Sequence, residues 1–236
     1  MTHPVTPASA DTFGRHDTYR YIHKALRMAQ CDMLARLGRT DFAGPGDEAL
    51  LADLRGLLAL GAAHIGHEET HIHVHLEAAE PTSTRHLDNQ HANHRNSFQR
   101  LDSLIHQVEI ATTAQKAEAG HRLYLAFSLF VAHDLEHMYE EETTNNERLW
   151  RLFTDGEIIA MERAIVASLP PEKAVANLRL MIPALTRDER VRFLGAMKPA
   201  MPAEVFAAII ETTARPILAA NDFADLHHRL GLAEAA

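Results

Sequence analysis

Apolar residues in this chain recur every three or four positions and nowhere alternate convincingly, so the pattern predicts helices and no strands. The first run, from Arg15 to Leu37, sets Tyr19, His23, Leu26, Ala29, Met33 and Leu37 on one stripe, with His23 its polar intruder. Gly38 and Gly44-Pro45-Gly46 break it, and Asp47 offers a cap for a second helix reaching about Ala79. There Leu50, Leu54, Leu57, Gly61, His64, Glu68, His71 and His75 share a face, so an apolar seam becomes a seam of imidazoles and carboxylates. Beyond Pro81-Thr82-Ser83-Thr84, a third helix over roughly 86–113 aligns His91, His94, Phe98, Leu101, Ile105 and Val108. Gly120 reads as the next turn, and a fourth helix from 121 to about 144 aligns Leu123, Phe127, Phe130, Asp134, His137 and Glu141.

The expected fold is therefore all-α. Short connections favour antiparallel neighbours, giving an up-down-up-down four-helix bundle over residues 15–150, preceded by a polar tail over 1–14 that carries Pro4 and Pro7. Past Trp150 the character changes. Histidine disappears until His227 and His228, and Pro170, Pro171, Pro183, Pro199, Pro202 and Pro216 punctuate a C-terminal extension, 151–236, of about five short helices. That extension suits packing, a lid or a subunit contact, and none of its residues suggests chemistry.

Composition narrows the function. At 46% hydrophobic residues, 236 positions supply a real core. The single cysteine, Cys31, excludes a disulfide framework and a thiolate metal cage, points to a reducing cytoplasm, and reads as a small core residue. Residues 1–11 lack a basic-then-apolar leader, and the nearly apolar run Leu123 to Ala132 is too short for a bilayer, so no membrane association is expected. A formal charge of -9 without a basic cluster argues against a nucleic-acid partner. Oligomeric state stays open. The unusual number is seventeen histidines.

Counted along antiparallel helices at ~1.5 Å per residue, His23, His64, His91, His94 and His137 fall within roughly 10 Å of one level, together with Glu68 and Glu141. Each buried polar group left unsatisfied costs ~1–3 kcal/mol, and a charge costs more, so four helices aiming such groups inward need a cation between them. Imidazole and carboxylate without thiolate suit iron, zinc, manganese or nickel. One ion with four to six ligands does not use up these donors, whereas two do. The His-xxx-Glu pairs 64/68 and 137/141 set each carboxylate one turn from an imidazole, where it can bridge ions ~3.5–4 Å apart. His73 falls opposite the seam and reads as solvated, while His67, His71, His75 and His133 lie on or beside it as outer donors or a proton relay.

On these residues the chain resembles the hemerythrin-like, HHE cation-binding family. The likeness rests on a lone helix-1 histidine, His23 in Tyr-Ile-His-Lys-Ala-Leu-Arg, on His64-Ile-Gly-His-Glu68-Glu, on His91-Ala-Asn-His94 and on His137-Met-Tyr-Glu-Glu141-Glu, and it covers about residues 15–150. It implies a non-haem di-iron centre of two iron ions, with His23, His64, His91, His94 and His137 as terminal ligands and Glu68 and Glu141 as bridges. It further implies a protein that binds or reacts with dioxygen or another small diatomic such as nitric oxide, in redox, oxygen or iron handling. Two departures, helix-3 histidines three apart and a His137-to-Glu141 spacing shorter than in the oxygen carriers, set it nearer the sensing, stress-handling or iron-donating branch.

Other readings compete. The same centre could serve an oxidase or oxygenase acting on an organic substrate beneath a C-terminal lid, or an iron donor. His67-Glu68-Glu69-Thr70-His71 matches the zinc metallopeptidase motif, but this reading leaves His23, His64 and His137 unused and offers no strand to hold a peptide. A ferritin-like site needs inward glutamates on helices 1 and 3, where the first has none and the third only Glu109.

Overall fold

Every regular element among the described residues is helical, as the periodicity requires. A computed structural model of the chain describes residues 14–44 and 46–232, so the tail expected over 1–14 lies, except for Gly14, outside them. The helices are α1 (Arg20–Arg39), α2 (Glu48–Glu68), α3 (Val74–Ala79), α4 (Arg85–Ile110), α5 (Thr113–Glu140), α6 (Asn146–Leu152), α7 (Asp155–Ser168), α8 (Pro171–Ala184), α9 (Arg187–Met197), α10 (Ala203–Thr213) and α11 (Ala220–Arg229). Two π turns, Glu69–His73 and Glu141–Asn145, splice α2 to α3 and α5 to α6 without a break. The chain divides into two compact units, residues 14–20 with 29–167 and residues 21–28 with 168–232.

In the first unit a polar layer lies between two apolar ones on the same helices. Leu50, Leu54, Leu58, Leu101, Ile105, Leu123, Phe127 and Phe130 belong to one buried cluster. Tyr19, Ile72, Leu76, Leu149, Ile158 and Met161 make another. Between them along α2, α4, α5 and the π turn that follows α5 come the buried Glu68, His91, His94, Asp134, His137 and Glu141. The continuous helix Glu48–Ala79 is long and apolar enough by length and composition to cross a membrane, as the core helix of a folded domain also is.

The π turns correct the predicted seam. From Glu68 the buried face runs on through Ile72 and Leu76, not through His71 and His75; His75 is exposed. The same four-residue stepping links His137, Glu141, Asn145 and Leu149. His73, expected in solvent, is buried. Cys31, expected in the core, is exposed.

Gly120 is not a turn. Ala111 and Thr112 make the connection, and α5 begins seven residues before the glycine and runs through it. A Cβ at Gly120 would lie 2.2 Å from Cδ2 of Phe42, so glycine is there to admit a ring.

Residues 15 and 16 are fastened to α6 and α7. Arg15 donates to Asp155 at 2.6 Å and to the carbonyls of Trp150 and Phe153, while Trp150 Nε1 donates to the His16 carbonyl at 2.7 Å. His16 Nε2 lies 2.6 Å from Glu162, a bond that, against the opposing effect of burial and with help from Asp155 and Asp17, raises the His16 pKa above its ordinary 6.5. A proton held more tightly in the folded chain than in the unfolded one stabilises it fully below the unfolded pKa, and that contribution is lost as pH rises through the folded pKa. His16→Gln is thus expected to lower Tm at about pH 5.5 and to change it little near pH 9, read by thermal melts. An equal deficit at both would exclude a protonated pair.

In the second unit, five helices were expected after Trp150 and α7 to α11 are found, the first of them packed within the first unit. Proline starts α8 and caps α10, and Pro183 sits in the last turn of α8. Ile182, Leu194, Phe206, Ile210, Phe223 and Leu226 form this unit's core. Thr186 and Glu189 make a reciprocal capping box on α9, and Lys24 Nζ donates to Glu189 at 2.6 Å.

Candidate metal centre

One helical turn separates His64 from Glu68 and His137 from Glu141, so each pair projects from one face of its helix. The Glu68 carboxylate divides its oxygens: Oε1 is 3.1 Å from His64 Nε2 and Oε2 is 3.5 Å from His91 Nε2. Glu141 does the same, with Oε1 3.7 Å from His91 Nε2 and Oε2 3.3 Å from His137 Nε2. Donor atoms of Glu68, His91, His137 and Glu141 all lie within 4.8 Å of one another, as do those of His64, Glu68 and Glu141. The two donor sets share both carboxylates, and such a buried cluster could hold a metal ion.

The outer partners fix which nitrogen faces inward. His91 Nδ1 is 3.1 Å from Glu69 Oε1, and Glu69 is held in turn by Arg95. His137 Nδ1 is 2.8 Å from Gln90 Oε1, an amide whose Nε2 donates to Glu140 at 3.0 Å and so turns its oxygen to the ring. His94 Nδ1 faces Asp134 Oδ1 at 3.4 Å, and Gln30 Nε2 donates to the other oxygen of Asp134. For His91 and His137 an oxygen acceptor favours hydrogen on Nδ1 and leaves the lone pair on Nε2, the arrangement that metal-bound histidines adopt, whereas His94 Nδ1 makes no hydrogen bond.

Electrostatics then call for a positive charge. The Nε2 atoms of His91 and His137 are only 3.1 Å apart, and two lone pairs at that distance repel unless a proton or a cation lies with them. A proton is disfavoured: burial above all lowers the His91 pKa, although Glu68 and Glu69 pull it up. Glu141 is driven well above the ordinary carboxylate range by burial, then by the charges of Glu68, Asp134, Glu140 and Glu142. Burial, then the charges of Glu141 and Glu68, raise the Tyr19 phenol, against the hydrogen bond it accepts from Asn145 at 2.7 Å. Imidazole nitrogens and carboxylate oxygens so arranged could hold a transition-metal ion.

Of the seven residues singled out from the sequence, the structure gathers His64, Glu68, His91, His137 and Glu141. His94 stands beside them, its ring edge-on to His137 at 4.8 Å and to Phe130 at 5.8 Å. His23 is fully buried on α1, in the stretch 21–28 that belongs to the second unit. The outer partners Gln30, Gln90 and Glu69 were not singled out. Gln30 had a signal, since stepping 19, 23, 26, 30, 33, 37 keeps the α1 stripe; Gln30 is buried and the predicted Ala29 only partly so. His67 and His71, the ligands of a peptidase reading, are only partly buried with ring centroids 6.5 Å apart, and Glu68 lies against His64 and His91.

Compared with known proteins, the chain matches no family model, no curated protein and no solved structure.

Proposed function

We propose that the chain is a hemerythrin-like di-iron protein of the cytoplasm that binds or reacts with a small diatomic, dioxygen or nitric oxide. In this reading α1, α2 with α3, α4, and α5 with α6 run up-down-up-down as a four-helix bundle. Glu68 and Glu141 would be the carboxylates shared by the ions, and His23, His64, His91, His94 and His137 the imidazoles that would hold them. The observation that carries it is the buried set Glu68, His91, His137 and Glu141, whose carboxylate oxygens are shared out between different imidazoles.

When bound, a pair of iron ions supplies redox-active coordination positions for a diatomic ligand. The protein's own residues do the rest. Glu69 and Gln90 orient the imidazoles of His91 and His137, and rigid orientation keeps those donors in register without reorganisation. The apolar side chains above and below the polar layer, Ile72 and Leu149 on one side and Phe98, Phe127 and Phe130 on the other, keep water out and favour a small uncharged guest over an ionic substrate.

Elemental analysis of the purified protein, with its ultraviolet-visible spectrum under air, tests the reading. Two irons per chain and near-ultraviolet charge-transfer absorption are expected. One zinc and a colourless sample would overturn it.

A further inference from the structure

α5 carries two stripes. The inward one, from Leu123 to His137, is buried and contributes to the core and the polar layer. On the opposite side Glu118, Arg122, Leu125, Leu129, Ala132 and Glu136 follow one another by alternating steps of four and three, and all six are exposed. Leu125 at 52% and Leu129 at 54% are the only exposed leucines among the described residues, and they stand one turn apart. A helix that is apolar on two opposite faces belongs between two layers of protein, and the fold supplies only one.

A single leucine on a surface needs no partner, because isolated apolar residues are common there. Chance exposure does not account for the order of this stripe. Its middle, Leu125, Leu129 and Ala132, is uncharged, with a cation, Arg122, at one end and an anion, Glu136, at the other. Neither charge makes an ion pair or side-chain hydrogen bond among the described residues. The sequence of the stripe also reads sensibly against itself in reverse. With Leu129 facing Leu129, Leu125 meets the small Ala132, and Arg122 meets Glu136 twice over, once at each end. Laid side by side in the same direction, two such helices would set Arg122 against Arg122 and Glu136 against Glu136.

We propose that the outward face of α5 joins two copies of this chain, antiparallel about a two-fold axis at Leu129. The leucines supply the attraction, and the Arg122–Glu136 pairs fix direction and register more than strength. A contact ~27 Å long and ~10 Å wide is small for a specific interface, so the dimer forms and dissociates with concentration. None of the metal-centre residues takes part, so the inference stands apart from the di-iron reading.

Sedimentation velocity on the purified full-length protein, from micromolar to millimolar concentration and in one fixed metal state, tests this. The unaltered protein is expected to pass from monomer towards dimer as concentration rises. Leu129→Glu sets two carboxylates against each other on the axis and should weaken association about a hundredfold or more. Arg122→Glu, which then faces Glu136, should weaken it about tenfold, and adding Glu136→Arg should bring it back. All three positions are exposed, so the variants keep their fold, which circular dichroism checks. A monomer at every concentration would overturn the proposal and leave the face to a different protein. A dimer indifferent to Leu129→Glu would overturn it too, by placing the contact elsewhere, and so would a charge swap that fails to restore association.

Discussion

Glu68→Gln is expected to remove most of the bound iron and, at the same time, to make the metal-free protein more stable. The two effects have opposite signs because one carboxylate answers to two states. Without metal, Glu68 and Glu141 are carboxylates at 2% and 0% exposure whose mutual repulsion helps drive the proton affinity of Glu141 upward. Replacing one buried charge by a neutral isostere relieves that and removes a desolvation penalty on the order of a few kcal/mol. With metal the balance reverses, since a carboxamide brings no negative charge and cannot bridge two cations. The stabilisation conferred by a ligand at about a thousandfold excess over its Kd, ~4 kcal/mol, should vanish with it. Melting curves in chelator and in excess ferrous iron, with an iron count on each sample, read both effects. Full iron occupancy in the variant would remove Glu68 from the ligands. A lower melting point in chelator would mean that its charge is compensated within the metal-free fold.

The stripes of α4 and α5 were legible in the sequence because an uninterrupted α-helix repeats about every 3.6 residues. All six residues aligned on the fourth helix, from Leu123 to Glu141, are buried, and so are His91, His94 and Leu101 on the third. His64, Glu68, His91, His137 and Glu141 are gathered for the same reason: steps of three and four place them on faces that pack inward. What was lost is what no local periodicity encodes. The run His64, Glu68, Ile72 and Leu76 advances four residues per turn, wider than an α-helix, and only a π turn accommodates that. Such a turn is a settlement between packing below the donors and packing above them, so it turned His71 and His75 off the seam and buried His73. The outer partners stayed hidden because Gln90 and Glu69 meet the histidines of other helices, a relation between surfaces rather than positions. Gly120 misled for a related reason. Glycine has two uses, a turn and a close approach, and the residue it admits here, Phe42, lies 78 positions earlier in the chain.

Alanine at three helical glycines should therefore give three different results in the same protein. Each substitution gains up to ~1 kcal/mol of helix propensity, so the sign depends on what the new methyl meets. At Gly56, exposed on α2, nothing lies within 4 Å of the added carbon, and Gly56→Ala is expected to stabilise by ~0.5–1 kcal/mol. At Gly61 the nearest atom is Cζ of Phe98 at 3.0 Å, the far tip of a partly buried ring that can tilt, so the gain and the crowding should nearly cancel. At Gly120 the carbon would lie 2.2 Å from Cδ2 and 2.3 Å from Cγ of Phe42, the base of a ring at 5% exposure, which cannot yield without moving its own backbone. Overpacking of that kind costs ~1–3 kcal/mol or more, enough to outweigh the propensity gain. Denaturant unfolding should thus rank Gly56→Ala above the unaltered chain and Gly120→Ala below it. Truncating the ring supplies the control: Phe42→Ala is costly alone, by ~3–5 kcal/mol, yet in its background Gly120→Ala should turn neutral or favourable. If Gly120→Ala instead destabilises equally with and without the ring, the glycine serves some need other than admitting Phe42.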